Sequence, residues 1–229
     1  MVTFQAGERE ATGYLARPST EQRGGVLVLH PWWGLTEFIQ ELCDRLAGEG
    51  FVAFAPDLYD GRTATTIPQA EQLSGSLDFE ATIPVVLGAV DYLREQTAVP
   101  EQKIGVIGLS MGAAWTLWLA AESRPDDVTA VVLFYGNWPG FSREHFAKTR
   151  AAFLGHFAAN DPYEEPEGIE ETRREIAAAG REVNFHHYPG TGHWFFENNQ
   201  PDAYNQAAAT LAWQRTVTFL KGLLTPDTE

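Results

Sequence analysis

Six runs in the chain are almost continuously apolar, β-branched or aromatic: residues 26–30 (VLVLH), 51–55 (FVAFA), 104–107 (IGVI), 128–135 (VTAVVLFY), 151–157 (AAFLGHF) and 183–188 (VNFHHY). Short runs of this kind, without polar alternation, are the mark of strands covered on both faces. Two weaker runs, 2–5 and 12–16, read as an antiparallel hairpin at one edge. Between the runs the apolar spacing lengthens to that of a helix. Phe38, Leu42 and Leu46 share a helical face behind a Thr36 cap, and Gly48 with Gly50 ends that helix. Ile83, Leu87, Val90 and Leu93 mark a second helix, a third starts near Met111, and Ala209, Trp213, Val217, Leu220 and Leu224 form the stripe of the last. Strands alternating with helices predict an α/β fold, a mainly parallel sheet of about eight strands with helices on both faces and right-handed crossovers.

The pattern is unbroken by repeats, low-complexity linkers or compositional shifts, so residues 1–229 read as one domain. No window approaches the roughly 18 apolar residues of a membrane span. The start, MVTFQAGERE, lacks the basic and then apolar segments of a secretory signal, and a cytoplasmic location is expected. The single cysteine, Cys43, fits that compartment, excludes an internal disulfide and reads as a small apolar residue of the first helix. A formal charge of −15 repels phosphates and anionic lipid, and no basic cluster offsets it. Neither nucleic acid nor a membrane surface is an expected partner.

Sites in open α/β sheets lie beyond the carboxyl ends of the strands. His30, Asp57, Ser110, Asp161 and His193 all follow predicted strand ends. Ser110 sits where a strand over 103–108 runs without a spacer into a helix, in GVIGLSMGAAW. Gly108 and Gly112 complete GxSxG, the pattern of a tight elbow that lifts a serine onto a helix N-terminus. The bland alternative is a serine that only caps the helix.

A serine hydroxyl is a weak nucleophile and needs a base, which in turn needs an orienting acid. Six histidines compete. His156, His186 and His187 lie inside predicted strands and His145 follows none, so they read as packed or surface residues. His193, in YPGTGHWFF, follows the last strand in a loop whose glycines let it turn back across the sheet. Asp161, in HFAANDPY, follows the strand before it, while Asp57 reads as a turn or cap residue. The order Ser110, Asp161, His193 is that of an α/β-hydrolase triad. The oxyanion would be held by the Met111 backbone N–H and, from the HPWWGLT loop, by the Trp32 backbone N–H. Trp32, Trp194, Phe195 and Tyr135 are the expected walls of the substrate pocket, whereas Trp33 reads as core.

With these residues in place, the chain resembles the dienelactone hydrolase family of α/β-hydrolases, through VLVLHPWWGLTEF, FAPDLYDGR, KIGVIGLSMGAAW, the strand ending at Asp161 and YPGTGHWFFEN. The resemblance spans nearly the whole length. It implies a compact, capless esterase or lactonase whose triad is carried by Ser110, His193 and Asp161. Founding members use cysteine where Ser110 stands, and a glutamate that steadies the thiol where Pro31 stands. They also grip a substrate carboxylate with arginines, at positions matched here by Glu197 and by the stretch 69–71. An acidic mouth is therefore expected to turn away an anionic lactone, and a neutral ester or lactone is the preferred substrate.

A serine ester hydrolase is the leading expectation. A peptidase or acyltransferase on the same triad, or a catalytically silent binding protein of the same fold, are the alternatives. Neither metal-ligand spacing nor a phosphate-cradling loop is present in the sequence, so no cofactor is expected. The stretch 58–80 shows no clear period.

Overall fold

The apolar runs pair into one sheet in the computed structural model, which describes residues 1–19, 22–97 and 104–225. The weak N-terminal runs are β1 (Val2–Ala6) and β2 (Arg9–Ala16), an antiparallel hairpin. They are followed by β3 (Gly24–Leu29), β4 (Phe51–Pro56), β5 (Ile104–Leu109), β6 (Val128–Phe134), β7 (Ala152–Ala158) and β8 (Val183–Tyr188). The strand order is β1-β2-β4-β3-β5-β6-β7-β8, with β2 antiparallel to β4 and all later neighbours parallel. Lys103, where the sequence pattern opened the fifth strand, lies outside the described residues.

The helices are α1 (Glu37–Gly48), α2 (Ile67–Gly75), α3 (Phe79–Gln96), α4 (Met111–Trp118), α5 (Arg143–Phe146), α6 (Pro166–Ala178) and α7 (Gln206–Leu224). A π-helical turn, Leu119–Ser123, extends α4. One face of the sheet is covered by α1 and α7, the other by α3, α4 and α6. The inner strands β3 to β7, sandwiched in this way, have almost no solvent face, which is why their sequence is continuously apolar. By contrast β8, expected to be covered on both faces, is an edge strand in which only Tyr188 is buried. Val26, Leu27, Val28 and Leu29 of β3 are all fully buried, each side chain contributing roughly 1.5–3 kcal/mol.

Two helical stripes are rotated from those expected. In α3 the buried residues are Thr82, Val85, Val86, Ala89, Val90 and Leu93, so Ile83 and Leu87 sit at the margin. In α7 they are Ala209, Ala212, Thr216, Leu220 and Leu224, and Trp213 is only half-buried, its ring under the Arg45 guanidinium at 4.1 Å. A tryptophan in the sequence marks a helical face as core, but here a cation covers the ring at the edge of the core. The buried place goes to Thr216, whose hydroxyl hydrogen-bonds buried His156 Nε2 at 3.0 Å. Thr36 stands before α1 without a side-chain capping bond. No single described helix is long and apolar enough to cross a membrane.

The chain leaves β3 in one direction, toward β4, while β5 lies on its other side. This reversal opens a crevice beyond the carboxyl ends of β3 and β5. Trp32 follows the first strand and Ser110 follows the second.

Candidate active site

At the end of β5 the chain turns straight into α4. Ser110 takes φ +50° and ψ −117°, a conformation that costs an ordinary residue about 1–3 kcal/mol. Hydrogen bonds on either side hold it there: Ser110 N–H donates to Phe134 O at 2.9 Å, and Ala113 N–H donates to Ser110 O at 2.8 Å. The flanking glycines are demanded by contact. A Cβ on Gly108 would lie 2.3 Å from Gly112 O, and one on Gly112 would lie 2.1 Å from Leu29 O.

His193 and Asp161 reach the same corner from the two loops after β7 and β8. Asn160 N–H donates to Thr191 O at 3.0 Å, and the Thr191 hydroxyl donates to Tyr188 O at 2.7 Å, so the loops are tied together before either side chain projects. His193 Nε2 lies 2.9 Å from Ser110 Oγ. His193 Nδ1 lies 2.8 Å from both oxygens of Asp161. Asp161 also accepts the Tyr163 N–H at 2.9 Å. The imidazole and carboxylate side chains are each only 3% exposed. Rings of Tyr135, Tyr163 and Trp194 surround the imidazole at 4.9, 4.9 and 5.1 Å between centroids, fixing its plane.

Met111 is the first residue of α4, where an N–H has no partner inside the helix and the helix dipole is positive. The Trp32 N–H likewise has no acceptor among the described residues. The loop that carries it is shaped by His30. Leu58 N–H donates to His30 Nε2 at 3.2 Å, which leaves the proton on Nδ1 for Pro31 O at 2.7 Å. Burial lowers the His30 pKa, consistent with this neutral tautomer. Asp57 is a turn former, accepting the N–H groups of Tyr59 and Gly61 at 2.9 and 2.5 Å.

A cavity of about 240 Å³ opens beside Ser110, lined by Trp32, Ser74, Met111, Tyr163 and His193. Three of the expected walls are elsewhere. Trp194 stacks behind Trp32 at 5.9 Å, and Phe195 is fully buried against Tyr135 and Tyr188. Tyr135 is fully buried beneath His193 and donates its hydroxyl to Glu197 Oε1 at 2.9 Å. Trp194 takes φ +65°, and this reversal just after His193 sends the following aromatic residues inward instead of along the cleft. Trp33 is core, packed on Ala64 and Ala70.

Glu197 also departs from expectation. It is 1% exposed and lies under the site, not at its mouth. Burial raises its pKa to about 8, which favours the neutral acid near pH 7. Close to Asp161, burial and the Asp161 charge raise Glu164 to about 7.

The sequence reading missed Ser74 and Tyr163, and placed His30 at a strand end without assigning it a role. Ser74 reaches the cavity because the patternless 58–80 stretch folds back over it, with Ala64 N–H donating to Trp33 O at 2.9 Å and Ala70 of α2 buried on Trp33. Tyr163 was within reach of sequence reasoning, since an Asp-Pro-Tyr turn places it next to Asp161. Among the described residues no His, Cys, Asp and Glu cluster could hold a metal ion.

The model of the dienelactone hydrolase family matches residues 11–224. The chain belongs to that family. Membership makes it a hydrolase acting on ester or lactone bonds. It is 32% identical to the protein usf of Aquifex pyrophilus, over 98% of this chain and 99% of that one. It is 30% identical to carboxymethylenebutenolidase 1 of Cupriavidus pinatubonensis, over 99% and 97%. Among solved structures it resembles a dienelactone hydrolase-like promiscuous phosphotriesterase from metagenomic libraries, with a TM-score of 0.85 and 22% identity over 98% of this chain and 97% of that one. It also resembles a dienelactone hydrolase from Anabaena variabilis, with a TM-score of 0.72 and 20% identity over 97% and 96%. In this family member, the α/β-hydrolase fold supplies the strand ends from which the site projects.

Proposed function

We propose that the chain is a one-domain cytoplasmic serine hydrolase of small, neutral carboxylic esters or lactones, working through an acyl-enzyme on Ser110. The observation that carries this reading is the unbroken line from Ser110 Oγ to His193 Nε2 at 2.9 Å, and from His193 Nδ1 to Asp161 at 2.8 Å. His193 takes the Ser110 proton as Oγ attacks the carbonyl carbon. The oxyanion that forms is held by the N–H groups of Met111 and Trp32, with the α4 dipole adding to the first. Collapse of the tetrahedral species breaks the ester bond, and His193 returns the proton to the leaving oxygen. Water, deprotonated by the same imidazole, then releases the acid. Asp161 holds the imidazole in the tautomer that presents Nε2 to the serine, and stabilises the imidazolium.

Neutrality of the substrate is supported by the cavity wall. Among the described residues no arginine or lysine lines the space beside Ser110. A substrate carboxylate would lose water there without gaining a counter-charge. The buried Glu197 takes no part in this exclusion.

The test compares hydrolysis of a neutral short-chain aryl ester and of a dienelactone, with Ser110→Ala as the blank. Turnover of the ester, a dead variant and a poor rate on dienelactone are expected, together with single labelling by a fluorophosphonate that the variant loses. Rates at the blank for both substrates would overturn the reading and leave a binding protein of the same fold.

A further inference from the structure

The space beside Ser110 does not end at the serine. Ser74 and Met111 also line a second, neighbouring groove of about 350 Å³, walled by Leu77, Phe79, Ala114, Trp115 and Trp138. Among the described residues no ionisable side chain lines it. Its amide and hydroxyl side chains are already engaged. Asn137 Nδ2 donates to Gly168 O at 3.1 Å and its Oδ1 accepts the Thr172 hydroxyl at 2.9 Å, while the Ser74 hydroxyl donates to Glu71 O at 3.2 Å. What the groove offers a ligand is aromatic surface. Phe79 stacks on Trp115 at 4.6 Å and 12°, and Trp138 meets Phe79 edge-on at 5.9 Å. Phe79 is still 38% exposed, so an apolar group entering the groove would cover ring surface that the fold leaves wet.

The side of the serine on which this groove lies decides which half of an ester it receives. The proton on His193 must reach the leaving oxygen, so the alcohol lies on the side of His193 and Tyr163. The groove shares neither residue and runs instead along α4 and the start of α3.

Resting on the serine-hydrolase reading above, we propose that the groove is the acyl pocket, and that the enzyme prefers esters of uncharged apolar acids of hexanoyl or phenylacetyl size over acetyl esters. A cavity lined by apolar and aromatic side chains, with no charged group among the described residues, selects by area buried and not by charge.

The experiment measures kcat/KM for para-nitrophenyl acetate, hexanoate and phenylacetate with the wild type, A114W and W138A, alongside fluorophosphonate labelling of each. The wild type is expected to favour the two larger acyl groups about tenfold or more over acetate. In A114W the indole fills the groove, and that ratio falls to near one while labelling persists. A labelled A114W with the wild-type ratio, or a wild type without preference, overturns the assignment. If A114W fails to label, W138A decides: a phenylacetate-to-acetate ratio lowered severalfold supports the pocket, and an unchanged ratio overturns it. A wild-type protein that neither labels nor hydrolyses any of the three esters overturns the serine-hydrolase reading itself, which keeps the two failures apart.

Discussion

The Tyr135 hydroxyl donates to Glu197 Oε1 across 2.9 Å, in a fully buried layer directly beneath the His193 ring. The second carboxyl oxygen of Glu197 has no partner among the described residues. An ionised carboxylate in that place would be heavily penalised, and burial accordingly lifts the Glu197 pKa to about 8.

This makes stability pH-dependent in a definite sense. Unfolded, Glu197 titrates near the ordinary value of about 4.3. The folded pKa is raised, so the contribution is fully present below the unfolded value, declines as the pH rises above it, and is gone above about 8. In Glu197→Gln the amide oxygen still accepts from Tyr135 but nothing titrates. The melting temperature of the wild type should fall relative to that of the variant between about pH 5 and pH 8, with an upper bound on the order of 5 kcal/mol. Parallel melting curves across that range would show that Glu197 is ionised in the native protein.

Removing the other partner tests the same layer from above. Tyr135→Phe leaves Glu197 without its hydrogen bond and should cost about 1–3 kcal/mol in urea unfolding. The aromatic ring against His193 is preserved, so hydrolysis of a neutral ester at pH 7 should change by less than about tenfold.

Asp161→Asn should leave the fold intact, since the amide oxygen can still accept the Tyr163 N–H that now binds Asp161 at 2.9 Å. It presents the imidazole in the wrong tautomer, and kcat should drop about 10³–10⁴-fold. A circular dichroism spectrum unchanged from wild type, with kcat measured on the same sample, checks both halves of the expectation.

The elbow predicts a contrast between two glycine substitutions. Gly112→Ala drives a Cβ to 2.1 Å from Leu29 O, a backbone atom of the central sheet. It should lose about 1–3 kcal/mol of stability and most of the activity. Gly48→Ala, at the end of α1 where a Cβ meets nothing within 4 Å, should be neutral or stabilising by about 0.4–1 kcal/mol. Equal effects at the two positions would contradict the packing described for the elbow.

The sequence by itself determined the sheet and its corner. Strands buried on both faces must be apolar throughout, so β3 to β7 were legible as runs, and alternation with helices fixed the parallel architecture. The Ser110 corner was legible because backbone packed against backbone admits only glycine, a requirement one residue deep that the letters Gly108 and Gly112 state directly. Placing Asp161 and His193 beyond consecutive strand ends needed no more than topology.

Only the tertiary structure decided the surroundings of that corner. Trp194, Phe195 and Tyr135 are equally aromatic in the sequence, and whether such a ring faces the cleft or the core depends on the turn at Trp194 and on what lies beneath it. Glu197 reads as a surface charge in the sequence and is a buried acid in the fold, where burial raises its pKa and shifts the balance toward the neutral form. Ser74 and the groove beyond it come from the 58–80 stretch, whose path is set by contacts with Trp33 and not by any period of its own. Local patterns record which faces are covered; side-chain partners far apart in the chain are chosen only when the sheet brings them together.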